Sequence, residues 1–574
     1  MHDGQPDLNL AAFYQQKYRA AFDAALAAGD AKPLIIPWSF IGPVILPLIY
    51  LSIPHTQRPW LYRMRWAVAA AVVYLNVRLL QTTSAGNEAV AYATGLIASW
   101  GTIWSLTLLI FTRPQWEAAR VQRRPRKKFK ARANGNDNDN DQDKDEFALP
   151  KPPDESVAAS WPHHEYFWQR FPANEPFLTR LGWAADLFTA FRGAGWNHSI
   201  PCIPHPPFPR SHPHTSSSRG DEEEEPARID LIPLASRTGV ARSPTYASFV
   251  RSRLVSFALA YAAIDVWTVT ARRDPYFVAG PEYAASAAAD GVPQLPPALA
   301  ALPCPAVALP LLRNLAALAG VLAALHLYHS PLQLLVCCAL PALPPLRRLL
   351  GPRAELWQHP TLFGSFTAGV LDRGLAGWWG GWWHQTFRRG FVSLGRWLLG
   401  CVAGGDSGGG GGDGRMRGGK VRVGAVMVVA AVVVETVGAF FQSGLVHAAG
   451  GMTAVPERTV AWTPIAFFML QAVGVLGQTA VCSVFRGPID RFVPRWGRRA
   501  ANFLFVALWL YFTAWGLIDD MSRAGLWLFE PVPVSPLRMM GLGSLPGESW
   551  WRWDGQYGLR WYRGKRWWES GIRL

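Results

Sequence analysis

Two stretches of this chain gather residue types that can move protons or hold anions. The first, Pro360 to Phe391, reads PTLFGSFTAGVLDRGLAGWWGGWWHQTFRRGF. It sets four tryptophans ahead of an imidazole–carboxamide pair, His384-Gln385, and two adjacent guanidinium groups, Arg388 and Arg389. The second, Phe440 to Gly450, reads FFQSGLVHAAG and places His447 at the end of an apolar run, among Ser443, Gly444, Ala448, Ala449 and Gly450. Imidazole titrates near neutral pH, so a histidine in such a run is a candidate for proton transfer. An ionisable residue inside a span is costly to keep and is read as functional by default. A packed, satisfied histidine is the plainer alternative, and small neighbours also permit close helix contact.

The elements that must position these residues are membrane helices. Half of the 574 residues are apolar and 17% are charged, but the apolar ones are concentrated in long runs. A spanning helix needs about 20 apolar residues, and in lipid the backbone must bond to itself. Spans are expected near Leu34–Ile53, Trp66–Leu80, Ala89–Phe111, Leu254–Val269, Leu311–Tyr328 and Leu332–Leu346, the last two joined by a tight hairpin at His329–Pro331. Others follow near Val423–Val446, Trp462–Val484 and Phe503–Ile518. The expected fold is an all-α polytopic membrane protein, with roughly 8–10 transmembrane helices and a partly disordered cytosolic loop.

Boundaries follow from composition. Residues 1–32 form an amphipathic N-terminal segment, 33–111 the first spans, 112–245 the cytosolic loop and 246–350 the central spans. Residues 351–546 carry the two chemistry-bearing stretches, with a glycine tether at 404–419, and 547–574 form a basic, Trp-rich tail. Asn134–Glu146 and Ser199–Pro226 are polar enough to be disordered. Arg58–Arg65 and Arg113–Arg132 are rich in Arg while Gln81–Glu88 has no basic residue, which places the first two in the cytosol.

The net charge of +16 raises nucleic acid as a partner, but the basic residues sit beside tryptophans, as in Trp550–Arg552 and Lys565–Trp568. That pattern belongs to the headgroup region, so the lipid bilayer is expected as partner and nucleic acid is not. The six cysteines form no CxxC, and neither a disulfide framework nor a metal site is expected.

Several strings imitate known sites. Gly405-Asp406-Ser407-Gly408-Gly409 imitates a serine-nucleophile motif, and Gly414 to Lys420 approaches a phosphate-binding loop. Both lie in the glycine tether, which lacks the scaffold either chemistry requires. His205, His212 and His214 stand among prolines and read as linker. His326 and His329, three apart on one helical face, lack a carboxylate partner and read as packed. Asn197-His198-Ser199 is a glycosylation sequon by string, placed in the cytosol by the topology above.

Taken in order, the two main stretches resemble the wax-synthase branch of the membrane-bound O-acyltransferases. The resemblance lies in Pro360, Leu362, Phe363, Gly364 and Ser365 (with Thr361 inserted), in Trp383-His384-Gln385, and in Phe441, Ser443, Gly444, Leu445 and His447. Arg192-Gly193-Ala194-Gly195-Trp196, preceded by Trp183 and Asp186, and Pro531–Pro536 are similar to elements of the fungal members. Departures are the glycine tether and Gly377, Gly380 and Gly381, which should loosen the Trp-rich segment.

The resemblance implies transfer of an acyl group from an acyl-CoA co-substrate to a hydrophobic alcohol, giving a wax ester or an acylated secondary metabolite, in the endoplasmic reticulum. His447 would be the base, kept neutral by burial. His384 and Gln385 would orient the donor or stabilise an oxyanion, and Arg388 and Arg389 would meet the CoA phosphates or anchor the helix at the headgroups. No bound cofactor is expected. The alternatives are a transporter, for which Asp265 and Glu435 are the clear intramembrane acids, and a non-catalytic membrane protein.

Overall fold

The computed structural model describes residues 9–125, 164–209, 225–290, 305–402, 425–455, 459–553 and 559–573. The glycine tether with its serine and phosphate-loop strings, His212, His214 and Asn134–Glu146 lie outside the described residues. The chain is a predominantly helical, multi-pass membrane protein with a few short strands. Among the described residues, five helical segments are long and apolar enough to cross a bilayer: Glu88–Phe111, Tyr246–Ala271, Val307–Ala342, Met427–Met452 and Trp462–Val484. A sixth span forms if Arg495–Thr513 and Trp515–Arg523, bent by 41° at Ala514, count as one. Val428, Val429 and Val432 are each more than half exposed on the Ala425–Met452 helix, a face that only lipid tolerates.

Two expectations are corrected. Leu311–Tyr328 and Leu332–Leu346 are not a hairpin: Pro305–Leu334 is one helix, continued by a π turn at Leu335–Ala339. Pro310 and Pro331 sit inside it, and neighbouring helices hold it through the lost backbone bonds. Residues 199–209 are not disordered. Ile200, Cys202 and Ile203 pack with Val240 as a small core, and their apolar area offsets the ordering cost that their prolines already reduce.

Of the expected span Leu34–Ile53, Trp38–Ser52 is one apolar helix, opening with a 3₁₀ turn and a π turn at Ile41–Ile45 before the α-helical Leu46–Ser52. Pro37 stands just before this helix, and Pro43 and Pro47, inside it, lack the amide that an α-helical bond would use.

The connector after the first spans folds back onto them. Arg120–Pro125 pairs antiparallel with His164–Gln169, and a helix follows at Phe177–Thr189. Its buried Trp183, Ala184 and Leu187 share one core with Trp104, Leu108 and Trp196. Asp186 ties this region together, accepting from Trp196 Nε1 at 3.3 Å and pairing with Arg120 at 2.8 Å. Asn197, the sequon residue, is engaged through its side chain by the Glu117 carbonyl and the Ala119 amide.

The acids expected to mark a transport path hold structure instead. Asp265 accepts from Ser535 Oγ and, at 2.9 Å, from the Leu537 amide, fixing the proline-rich segment against its helix. Glu435 pairs with Arg396 at 3.4 Å. Further along, buried Glu530 and Glu548 are held by Arg272, Arg538 and Arg552, which locks the tail to the Tyr246–Ala271 helix end.

Candidate active site

The Trp-rich segment is irregular. Two π turns, Thr367–Leu371 and Trp378–Trp382, flank a kink at Gly374, where φ is +60° and ψ −138°. Such backbone persists at membrane depth only where protein groups satisfy it. Gln478 Oε1 accepts from the Leu375 amide at 2.8 Å, while its Nε2 donates to Asn502, which in turn donates to the Leu371 carbonyl. Gln471, fully buried, accepts from Trp379 Nε1 at 3.3 Å and donates to Thr513 Oγ1 at 3.0 Å. These amides on the two last spans were not among the expected site residues. Their signal was present, as polar side chains within apolar helices.

Of the three glycines expected to loosen this segment, Gly377 instead tightens it, and Gly364 does the same. A side chain on Gly377 would run into the Gly369 carbonyl, and one on Gly364 into that of Gly381. Only at Gly380, among those expected to loosen it, is there open space. In the second stretch, a Cβ on Gly444 would lie 2.7 Å from Ile465 Cα, so this glycine lets the His447 helix approach the Trp462–Val484 helix.

Three aromatic rings link the two histidines across this contact. His447 stacks on Phe468 with ring centres 5.1 Å apart, and Phe468 packs on Trp379 at 5.9 Å. Trp379 touches Trp383, and Trp383 touches His384 at 5.3 Å. Both histidines have Nδ1 buried without a hydrogen-bond partner. Neither Nε2 is buried in that way, and neither makes a hydrogen bond, so each ring presents an accessible, unengaged Nε2. The helix carrying His447 is fixed through its backbone: Tyr92 donates to the His447 carbonyl at 3.3 Å, and Thr453 to that of Ala91 at 2.6 Å.

His384 lies outside the spanning helices. Burial, then the nearby His447, then Arg192 hold its pKa down to about 4, so the ring is neutral at physiological pH. Burial likewise lowers His55 and His359 to about 4. Unfolded, these rings protonate near the ordinary value of 6.5, so below it the unfolded chain binds more protons. Stability is expected to be full above about pH 6.5 and to fall progressively toward about pH 4. Melting followed by tryptophan fluorescence checks this: an unchanged midpoint between about pH 7.5 and about pH 5 would contradict it.

The other expected site residues are turned inward. Gln385 donates to the carbonyls of Trp379 (2.6 Å) and Trp383 (2.7 Å), and its oxygen receives Arg388. Arg388 also donates to the Gly380 carbonyl at 3.1 Å. Arg389 reaches the His198 carbonyl at 3.4 Å, with Glu117 within electrostatic range. His326 accepts or donates at Ser256 Oγ (3.0 Å) and packs on Phe363 at 5.1 Å, next to the site. His205 stacks on Phe208 and meets the Pro206 carbonyl at 2.8 Å through Nδ1. Among the described residues, no cluster of His, Cys, Asp or Glu could hold a metal ion.

The fold and site define a multi-pass helical membrane protein with two unengaged imidazoles set in an aromatic shell. Residues 359–470 match the family model described as the Membrane bound O-acyl transferase family, less than half of the chain but including the Trp-rich segment, His384 and His447. No curated protein and no solved structure matches the chain.

Proposed function

We propose that this protein is a membrane-embedded O-acyltransferase that moves an acyl group from acyl-CoA to a hydrophobic alcohol. The observation that carries the reading is the pair His384 and His447, each with a free Nε2, in the segment that matches the acyltransferase family. His447 Nε2 takes the hydroxyl proton as the alcohol oxygen bonds to the thioester carbon. The carbonyl electrons move onto oxygen, then return as the C–S bond breaks. The thiolate leaves and recovers the proton from His447, so one ester and one free CoA form. His384, neutral and able to donate from Nε2 in one tautomer, faces the carbonyl oxygen as it gains charge. Gln385 braces the tryptophan loop that holds it. Direct transfer needs no acyl-enzyme, and among the described residues no serine or cysteine hydrogen-bonds to either histidine.

The product is a wax ester or an acylated secondary metabolite, made at the endoplasmic reticulum. Microsomes carrying the full chain, given labelled acetyl- and long-chain acyl-CoA with fatty, terpenoid and phenolic alcohols, are expected to form a labelled ester with at least one pair. A well-expressed sample that forms none from any pair would overturn the proposal.

A further inference from the structure

Three successive backbone carbonyls at the start of the first stretch receive side chains from three separate elements. Arg253 donates to His359 (3.4 Å), Gln333 to Pro360 (3.5 Å) and Arg192 to Thr361 (3.0 Å). Two guanidinium groups are thereby brought to one place. Arg253 is only 7% exposed, and the Nε of both arginines is buried and donates to nothing. Neither forms an ion pair among the described residues. Arg120, Arg272, Arg538 and Arg552, enclosed arginines elsewhere, pair with carboxylates, and Arg389, whose Nε is also buried without a partner, has Glu117 within electrostatic range.

The groups facing this pair do not neutralise it. Arg192 has Arg253 and the Cys202 thiol within electrostatic range, and its pKa is lowered to about 10, chiefly by burial. His329, with Nε2 buried and unpartnered, lies within range of both arginines and of His326 and His359. Concentrated positive charge withdrawn from water, with no carboxylate beside it, is costly unless an anion completes it. Two planar forks with spare donors match the oxygens of a phosphate. The site also adjoins the reaction centre, because His384 feels both Arg192 and His447.

We propose that Arg192 and Arg253 form a phosphate-binding site, and that the phosphates of the acyl donor dock there rather than on Arg388 and Arg389. The donor's part in this rests on the acyl-transfer reading, whereas the phosphate chemistry of the site does not. It gives Arg192 of the Arg-Gly-Ala-Gly-Trp element a binding role, and sets the donor's anionic end on the same side of His384 as the connector.

The test uses the purified full-length chain in phosphatidylcholine nanodiscs, with coenzyme A and phosphatidic acid as separate probes. Arg192→Gln and Arg253→Gln are each expected to weaken coenzyme A binding at least about tenfold, while exposed Arg251→Gln leaves it within about twofold. Both glutamine variants also lose a bond to the chain, so the unsubstituted protein provides a second measurement. Coenzyme A is expected to slow phenylglyoxal labelling of Arg192 and Arg253, read by peptide mass spectrometry. Unchanged coenzyme A affinity in both variants, or unprotected labelling under both probes, would overturn the site. If the variants lose phosphatidic acid binding alone, the phosphate site stands with a lipid headgroup as ligand and the donor assignment falls. Arginine-dependent coenzyme A binding in a protein that makes no ester would keep the site and remove the acyl-transfer reading.

Discussion

His447→Ala is expected to lower ester formation at least about a hundredfold, within the range that general-base catalysis supplies. The loss should appear in kcat with KM little changed, because the proton moves only as the transition state forms. Folding is expected to survive. The helix is held by Tyr92 on the His447 carbonyl, Thr453 on the Ala91 carbonyl and Gln442 on the Phe391 carbonyl, none of which uses the imidazole. Removing the ring costs its stacking on Phe468, one face of one side chain. Size-exclusion elution should therefore match the unsubstituted protein, and His205→Ala, whose ring is engaged by Phe208 and the Pro206 carbonyl, should keep its rate. A His447→Ala protein with more than about a third of the normal rate would exclude imidazole as the base.

Gly374→Ala is expected to be the most damaging single methyl addition in the tryptophan segment. At φ +60° and ψ −138° the residue occupies a region open essentially to glycine, where another residue costs about 1–3 kcal/mol. The added Cβ would also be driven into the Gln478 amide, which satisfies the Leu375 amide and holds Asn502. Displacing Gln478 leaves buried polar groups unpaired, at about 1–3 kcal/mol more. The combined effect should lower the melting midpoint clearly and remove most ester formation by shifting Trp379 and Trp383 under His384. Gly380→Ala, only six residues on, meets nothing within 4 Å and should behave as the unsubstituted protein. Equal midpoints for the two alanine variants would show that the kink does not organise the segment.

What was legible in the sequence followed from hydrophobic length. The span Trp462–Val484 was readable to the residue, because twenty-odd apolar side chains between polar turns leave the backbone one solution in lipid. The two stretches carrying His384 and His447 were also legible, since a histidine or a tryptophan cluster in apolar surroundings stands out by type. Proline misled in both directions. At Pro331 it suggested a hairpin where neighbouring helices sustain one long helix, whereas beside Pro37 the first apolar helix starts only at Trp38, short of the expected Leu34.

By itself, then, the sequence determined that this chain is a multi-span helical membrane protein and which two histidines stand in apolar surroundings. Only the tertiary structure decided what surrounds them. It turned Gln385 and Arg388 inward, made Gly444 and Gly377 points of contact, and recruited Gln471 and Gln478 from the later Trp462–Val484 span. The reason is physical: burial in lipid depends on local composition and can be summed along the chain. The partner of a buried amide or guanidinium depends on which helix lies beside it, and helix neighbours are set by packing between segments far apart in sequence.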